Sequence, residues 1–135
     1  MLAVIPLLIL PLAAYNILFA GFLQARIPSS LSDSILSLQM LSGATWSMNV
    51  GDALVVSALL MLFVEILKAT RRSTLSVADH LFSMLLFVAY LVEFLVVRDA
   101  ATQVFFILTA IAFIDVVAGF SISIKAASRD VSIGL

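Results

Sequence analysis

The apolar run from Thr102 to Lys125 constrains the fold of this chain most strongly, because it is long enough to cross a bilayer and carries Asp115 near its middle. A carboxylate at that depth costs about 2.5–3.5 kcal/mol on membrane-insertion scales. It must therefore face a water-filled pocket, a polar partner or another subunit. The run predicts a transmembrane helix over residues 101–124.

Three further apolar runs give the chain the composition of a membrane protein. Of its 135 residues, 64% are hydrophobic and only 11% are charged, whereas soluble domains are roughly 45–50% apolar and about 25% charged. The runs predict spans over residues 2–23, 52–68 and 77–97. We therefore expect an all-α integral membrane protein, in which residues 1–135 form one antiparallel bundle of four transmembrane helices.

Several classes of function are disfavoured by the residues themselves. A net charge of −1 makes nucleic acid a poor partner. The chain has no cysteine, which removes thiolate catalysis and thiol-based metal sites. The sequence contains no glycine-rich phosphate loop and no histidine-rich metal motif. We therefore predict neither an enzyme nor a cofactor or metal site.

The long connection after the first span predicts a short amphipathic helix over residues 30–41. Apolar residues recur there at helical spacing: Leu31, Ile35, Leu38 and Leu41. Ser30 and Asp33 fit a capping box, and Trp46 follows, a residue type that favours the membrane interface. We expect this helix to lie on the bilayer surface or on the bundle. A lid or docking surface for a partner is the alternative.

The distribution of basic residues predicts the orientation of the chain. With four spans, five basic residues share one side: Lys68, Arg71, Arg72, Lys125 and Arg129. Only Arg26 and Arg98 share the other side. The positive-inside rule then places both termini in the cytoplasm, in what we expect to be a bacterial inner membrane. The cluster of Lys68, Arg71 and Arg72 is also a candidate contact for anionic lipid.

Three acidic residues in or near the spans are the main candidates for chemistry: Asp115, Glu65 and Glu93. Asp115 is expected near the midplane, Glu65 towards the cytoplasm and Glu93 towards the exterior. Lys68 follows Glu65 by three residues, so a local ion pair explains Glu65 more simply than transport. No Lys or Arg is expected at the depth of Asp115.

Three uncharged residues complete the set of intramembrane candidates. Asn16 is expected to hydrogen-bond to a neighbouring helix, and Tyr90 lies on a polar seam of the third span together with Glu93. Gly119, one turn after Asp115, lets another backbone approach closely. With the acids these residues can line a proton or cation path. Their simpler role is to fix how the helices pack.

His80, the only histidine, stands at the start of the third span. A bis-histidine haem would need its second ligand from another chain. A solvated or capping histidine is the simpler interpretation.

Two hypotheses about function follow. The first is an accessory or assembly subunit that binds other membrane-protein subunits, or itself, through its transmembrane helices. The alternative is a small proton- or cation-coupled channel or transporter in which Asp115 titrates. A haem or quinone subunit built on His80 is a distant third.

Overall fold

A computed structural model describes residues 5–18, 31–71 and 77–133 of the chain. The described part is mostly helical, with a small two-stranded sheet. Its elements in chain order are α1 (Ile9–Leu18), β1 (Ser34–Gln39), β2 (Thr45–Asn49), α2 (Val50–Arg71), α3 (Val77–Val96), a 3₁₀ helix (Arg98–Ala100) and α4 (Gln103–Ile133).

Three of these helices are long and apolar enough to cross a membrane, which confirms the prediction of a helical membrane protein. The segments that qualify are Val50–Thr70, Asp79–Val96 and Gln103–Ile122. They match the second, third and fourth predicted spans to within a few residues. The first predicted span is described only in part, and its helix α1 covers ten residues.

The predicted surface helix over residues 30–41 is wrong, because β1 occupies most of this segment and pairs antiparallel with β2. The chain reverses through residues 40–44, where Gly43 adopts a φ of 90° that residues with a side chain rarely take. The leucines that fit a helical repeat belong to a segment that also alternates, since Leu36 and Leu38 flank Ser37. Pairing with β2 satisfies the backbone of this segment, so the alternating period of a strand prevails over the helical repeat.

Helix α2 begins with a reciprocal cap between Asn49 and Asp52. The N–H of Asp52 donates to the side-chain oxygen of Asn49 at 2.8 Å, and the N–H of Asn49 donates to the Asp52 carboxylate at 3.2 Å. This capping box satisfies backbone donors that the first turn of a helix leaves without partners. It also fixes the point at which β2 passes into α2.

Helix α4 packs against both α2 and α3. The α3–α4 contact is antiparallel, because Phe87 lies 5.5 Å from Phe113 and Phe94 lies 5.8 Å from Phe106, measured between ring centroids. The start of α2 lies beside the start of α4, where Gly51 leaves no room for a side chain against Val104. Helices α2 and α4 therefore run in the same direction.

The deepest part of the core lies where α1 meets α3 and α4. Tyr15, Tyr90 and Phe105 are all fully buried, with the Phe105 ring 4.8 Å from Tyr15 and 5.6 Å from Tyr90. The Tyr90 hydroxyl donates to the carbonyl of Leu8 at 2.6 Å. Helix α1 is thus held to the other helices by aromatic packing and by hydrogen bonds.

Candidate functional site

Glu65 on α2 joins two elements through one carboxylate oxygen. This oxygen accepts the backbone N–H of Leu7 at 2.8 Å and the Lys68 ammonium at 3.0 Å. The ion pair expected from the spacing of Glu65 and Lys68 is therefore present. The bond to Leu7 has no sequence signal, because 58 residues separate its partners. It satisfies a backbone donor two residues before α1 begins at Ile9.

Asp115 on α4 is buried, with 8% of its surface exposed, and it faces two other helices. The groups that act on its carboxylate are the charge of Glu65 on α2, the hydroxyl of Ser83 on α3 and the charge of Lys68 on α2. The observed contact of Lys68 is with Glu65, at 3.0 Å. The expectation that no Lys or Arg lies at the depth of Asp115 stays a prediction.

These contacts define a polar cluster inside the helical part of the protein, formed by Glu65, Lys68, Ser83 and Asp115, with the Leu7 N–H at its edge. Two of the three acids predicted as site residues thus lie near each other. A carboxylate beside an ammonium and a hydroxyl is far less costly to bury than one alone. The same chemistry can bind and release a proton or hold a cation.

Gly119 makes the close approach that its sequence position predicts, but the neighbour is the His80 side chain of the same chain. A β-carbon added at Gly119 would stand 3.1 Å from the His80 ring. The His80 ring also stacks on Phe120 at a centroid distance of 5.3 Å. His80 therefore packs between α3 and α4. Its contact with Gly119 lies one turn along α4 from Asp115.

Glu93 and Asn16 form a separate polar contact between α3 and α1. The Asn16 amide donates to one oxygen of Glu93 at 3.1 Å and to the Leu12 carbonyl at 2.8 Å. The other oxygen of Glu93 is buried and has no hydrogen-bond partner among the described residues. Tyr90 and Glu93 of α3 thus contact α1 and the residue before it, whereas Asp115 of α4 faces α2 and α3. The structure does not bring all six predicted residues into one site.

Tyr15 and Thr102 form a polar contact that the sequence does not indicate. The Tyr15 hydroxyl donates to the Asp99 carbonyl at 2.7 Å and shares a hydrogen bond with the Thr102 hydroxyl at 2.9 Å. The Thr102 oxygen also accepts the Phe105 N–H at 3.2 Å, which makes Thr102 the N-terminal cap of α4. The sequence signal for this cap is Thr102 itself, because threonine is favoured at the N-cap and stands just before the apolar run of α4.

The basic cluster is only partly described. Lys68 is engaged with Glu65, Arg71 is the last residue of α2, and Arg72 lies outside the described residues. Anionic-lipid contact by these three residues stays a prediction.

One surface pocket lined by described residues lies away from the polar cluster. This open pocket of about 300 Å³ lies at the turn between α3 and α4, lined by Phe94, Ala101, Thr102, Gln103 and Phe106. Within residues 5–18, 31–71 and 77–133, no three acidic, histidine or cysteine side chains are grouped to hold a metal ion.

Comparisons with protein-family models, with curated proteins and with solved structures gave no match to this chain.

Proposed function

We propose that this chain is a small accessory or assembly subunit of a larger membrane-protein complex, and that it binds its partner chains through the outer faces of its transmembrane helices. The observation that carries the proposal is the internal pairing of Glu65 with Lys68 and Leu7. A charge satisfied within the chain favours a fixed bundle that presents a constant surface. Asp115 is one of the partner-contact candidates from the sequence, and its burial within the chain shifts the proposed contact outwards.

The outer faces of the helices are available for contacts with partner chains. Large apolar side chains cover them, among them Leu60 and Phe63 on α2 and Leu95 on α3, each at least 60% exposed. Lipid tails cover such faces as well as a partner does, and helix association in membranes depends on close packing between apolar surfaces. We further propose that the first apolar run completes a four-span bundle in a bacterial inner membrane. Both termini are then cytoplasmic, as the basic residues predict.

The test is the native mass of the protein after extraction in mild detergent, with identification of every chain present. We expect other membrane subunits in a fixed ratio. Recovery of the chain alone, as a monomer or a stable homo-oligomer, would count against an accessory role.

A photocrosslinking residue placed on α2 locates the contact. Position 63 points outwards, with Phe63 60% exposed, whereas the neighbouring Leu62 is buried at 7%. Crosslinks to a second chain from position 63 and not from position 62 are expected. Equal yields from the two positions would contradict a contact made by the outer face.

A proton- or cation-coupled channel or transporter is the second candidate, and the meeting of Glu65, Lys68, Ser83 and Asp115 favours it. In this role Asp115 is the titrating group. Asp115→Asn should abolish flux in liposomes while the variant remains folded. Glu93→Gln, which changes an acid outside the polar cluster, is the matched control and should leave flux unchanged. Undiminished flux in Asp115→Asn would remove Asp115 from the mechanism.

A further inference from the structure

The β1–β2 hairpin has one apolar and one polar face. Residues directly opposite each other in an antiparallel pair project from the same face. Leu36 pairs with Met48, and Leu38 pairs with Trp46. The alternate pairs are Ser37 with Ser47 and Gln39 with Thr45. The apolar face of the hairpin is thus formed by four residues: Leu36, Leu38, Trp46 and Met48.

The described part of the protein leaves this face largely uncovered. Leu36, Leu38 and Trp46 each expose 42–48% of their surface, and Leu41 in the turn is fully exposed. A two-stranded hairpin is marginally stable in water unless its apolar face packs on something. The apolar face therefore needs a cover from outside the described chain.

Charge and position identify that cover. No charged residue occurs between Asp33 and Asp52, so the hairpin offers nothing to attract a charged protein surface. The hairpin is also tied to the end of a membrane-spanning helix, since Val50 donates its N–H to the Asp33 carbonyl and Gly51 donates to the Leu31 carbonyl, both at 3.0 Å. The apolar span of α2 begins at Val50, directly after β2. The hairpin therefore lies where α2 enters the bilayer.

We propose that the apolar face of the hairpin binds lipid, at the boundary between headgroups and acyl chains of the leaflet that α2 enters at Val50. Trp46 suits this depth, because tryptophan concentrates at membrane interfaces. The outer edges of β1 and β2 pair with no other strand among the described residues. Open sheet edges do not occur in the hydrocarbon core, so the hairpin lies in the hydrated interface. This inference does not depend on the accessory role.

Trp46 is the only tryptophan of the chain, and its fluorescence reports on the hairpin alone. The full chain is reconstituted in phosphatidylcholine vesicles that contain lipids brominated either near the headgroup or near the chain end. We expect stronger quenching by the shallow bromine than by the deep one, and weak quenching by aqueous iodide. Iodide quenching without bromine quenching would place the hairpin in water. Weak quenching by all agents would mean that a protein surface covers it, and stronger quenching by the deep bromine would place it in the core. Each of these results overturns the proposal.

Two neighbouring strand positions provide matched variants. Leu36→Glu puts a charge on the apolar face, and Ser37→Glu puts the same charge on the polar face. Leu36→Glu should raise iodide quenching of Trp46 several-fold and reduce shallow-bromine quenching, because a carboxylate draws the face out of lipid. Ser37→Glu should change neither. An equal response of the two variants would overturn the proposal. The quenching pattern of the unaltered chain tests it even where Leu36→Glu disturbs the hairpin.

Discussion

The Glu65 carboxylate accepts a hydrogen bond from the backbone N–H of Leu7 at 2.8 Å, which joins the middle of the protein to its first helix. The same oxygen accepts the Lys68 ammonium. The Glu65 side chain thus satisfies a backbone donor near the start of α1, and Lys68 compensates its charge within α2. Two substitutions separate these roles.

Glu65→Ala removes the acceptor and the charge, whereas Glu65→Gln keeps an oxygen that can accept the Leu7 N–H. We expect Glu65→Ala to lower the free energy of unfolding by about 1–3 kcal/mol, the usual cost of leaving a buried donor without a partner. Glu65→Gln should lose clearly less, because Lys68 is 26% exposed and can turn to water. Reversible unfolding in micelles measures both. Equal losses would mean that the bond to Leu7 contributes nothing.

Gly119→Ala tests the close approach between α3 and α4. The added methyl group would stand 3.1 Å from the His80 ring, so the helices or the ring must shift. We expect a loss of about 1–3 kcal/mol in the free energy of unfolding of the isolated chain, as for other overpacked sites.

The double variant Gly119→Ala with His80→Ala decides the cause. Removing the ring makes room for the methyl group, so the two changes should be strongly non-additive. Additive losses, or no loss in Gly119→Ala alone, would show that Gly119 serves a surface other than His80.

The long helices were predictable because a bilayer-length apolar run has few other ways to satisfy its backbone in lipid. The pairing of Glu65 with Lys68 was also predictable, since it depends only on a spacing of three residues. The hairpin was not, because the apolar residues between Leu31 and Leu41 fit a helical repeat and partly alternate as well. Only the partner strand after Gly43 decides between them.

The partners in the polar contacts between helices could not be predicted from the sequence, for a different reason. Asn16 bonds to Glu93 across 77 residues, and Leu7 bonds to Glu65 across 58. No local pattern indicates which faces of two helices meet.

Tyr15→Phe should loosen the turn between α3 and α4. The lost hydroxyl bonds to the Asp99 carbonyl and to Thr102, which caps α4. We expect a loss of about 1–3 kcal/mol in the free energy of unfolding, because two hydrogen bonds of about 0.5–1.5 kcal/mol each are removed. Hydrogen exchange at the Phe105 amide should become faster as well. Tyr90→Phe is the control, because its hydroxyl bonds to Leu8 instead. Faster Phe105 exchange in both variants would contradict a specific role for Tyr15.

Glu93→Gln tests whether the buried acid of α3 is satisfied within this chain. One Glu93 oxygen accepts the Asn16 amide, and the other has no partner among the described residues. Glutamine keeps an acceptor for Asn16 and removes a charge that is costly to bury. We therefore expect the isolated chain to keep or gain stability, by about 1 kcal/mol, in a denaturation series. Asn16→Ala should lose about 1–3 kcal/mol, because it leaves Glu93 without its donor.

The same Glu93→Gln variant distinguishes a packing role from a partner contact. A partner chain that donates a hydrogen bond to the second Glu93 oxygen would bind a carboxylate more tightly than an amide. Recovery of partner subunits with Glu93→Gln should then fall although the chain itself remains stable. Undiminished recovery together with raised stability would show that Glu93 contributes nothing to assembly, and would leave the outer faces of the helices as the proposed contact.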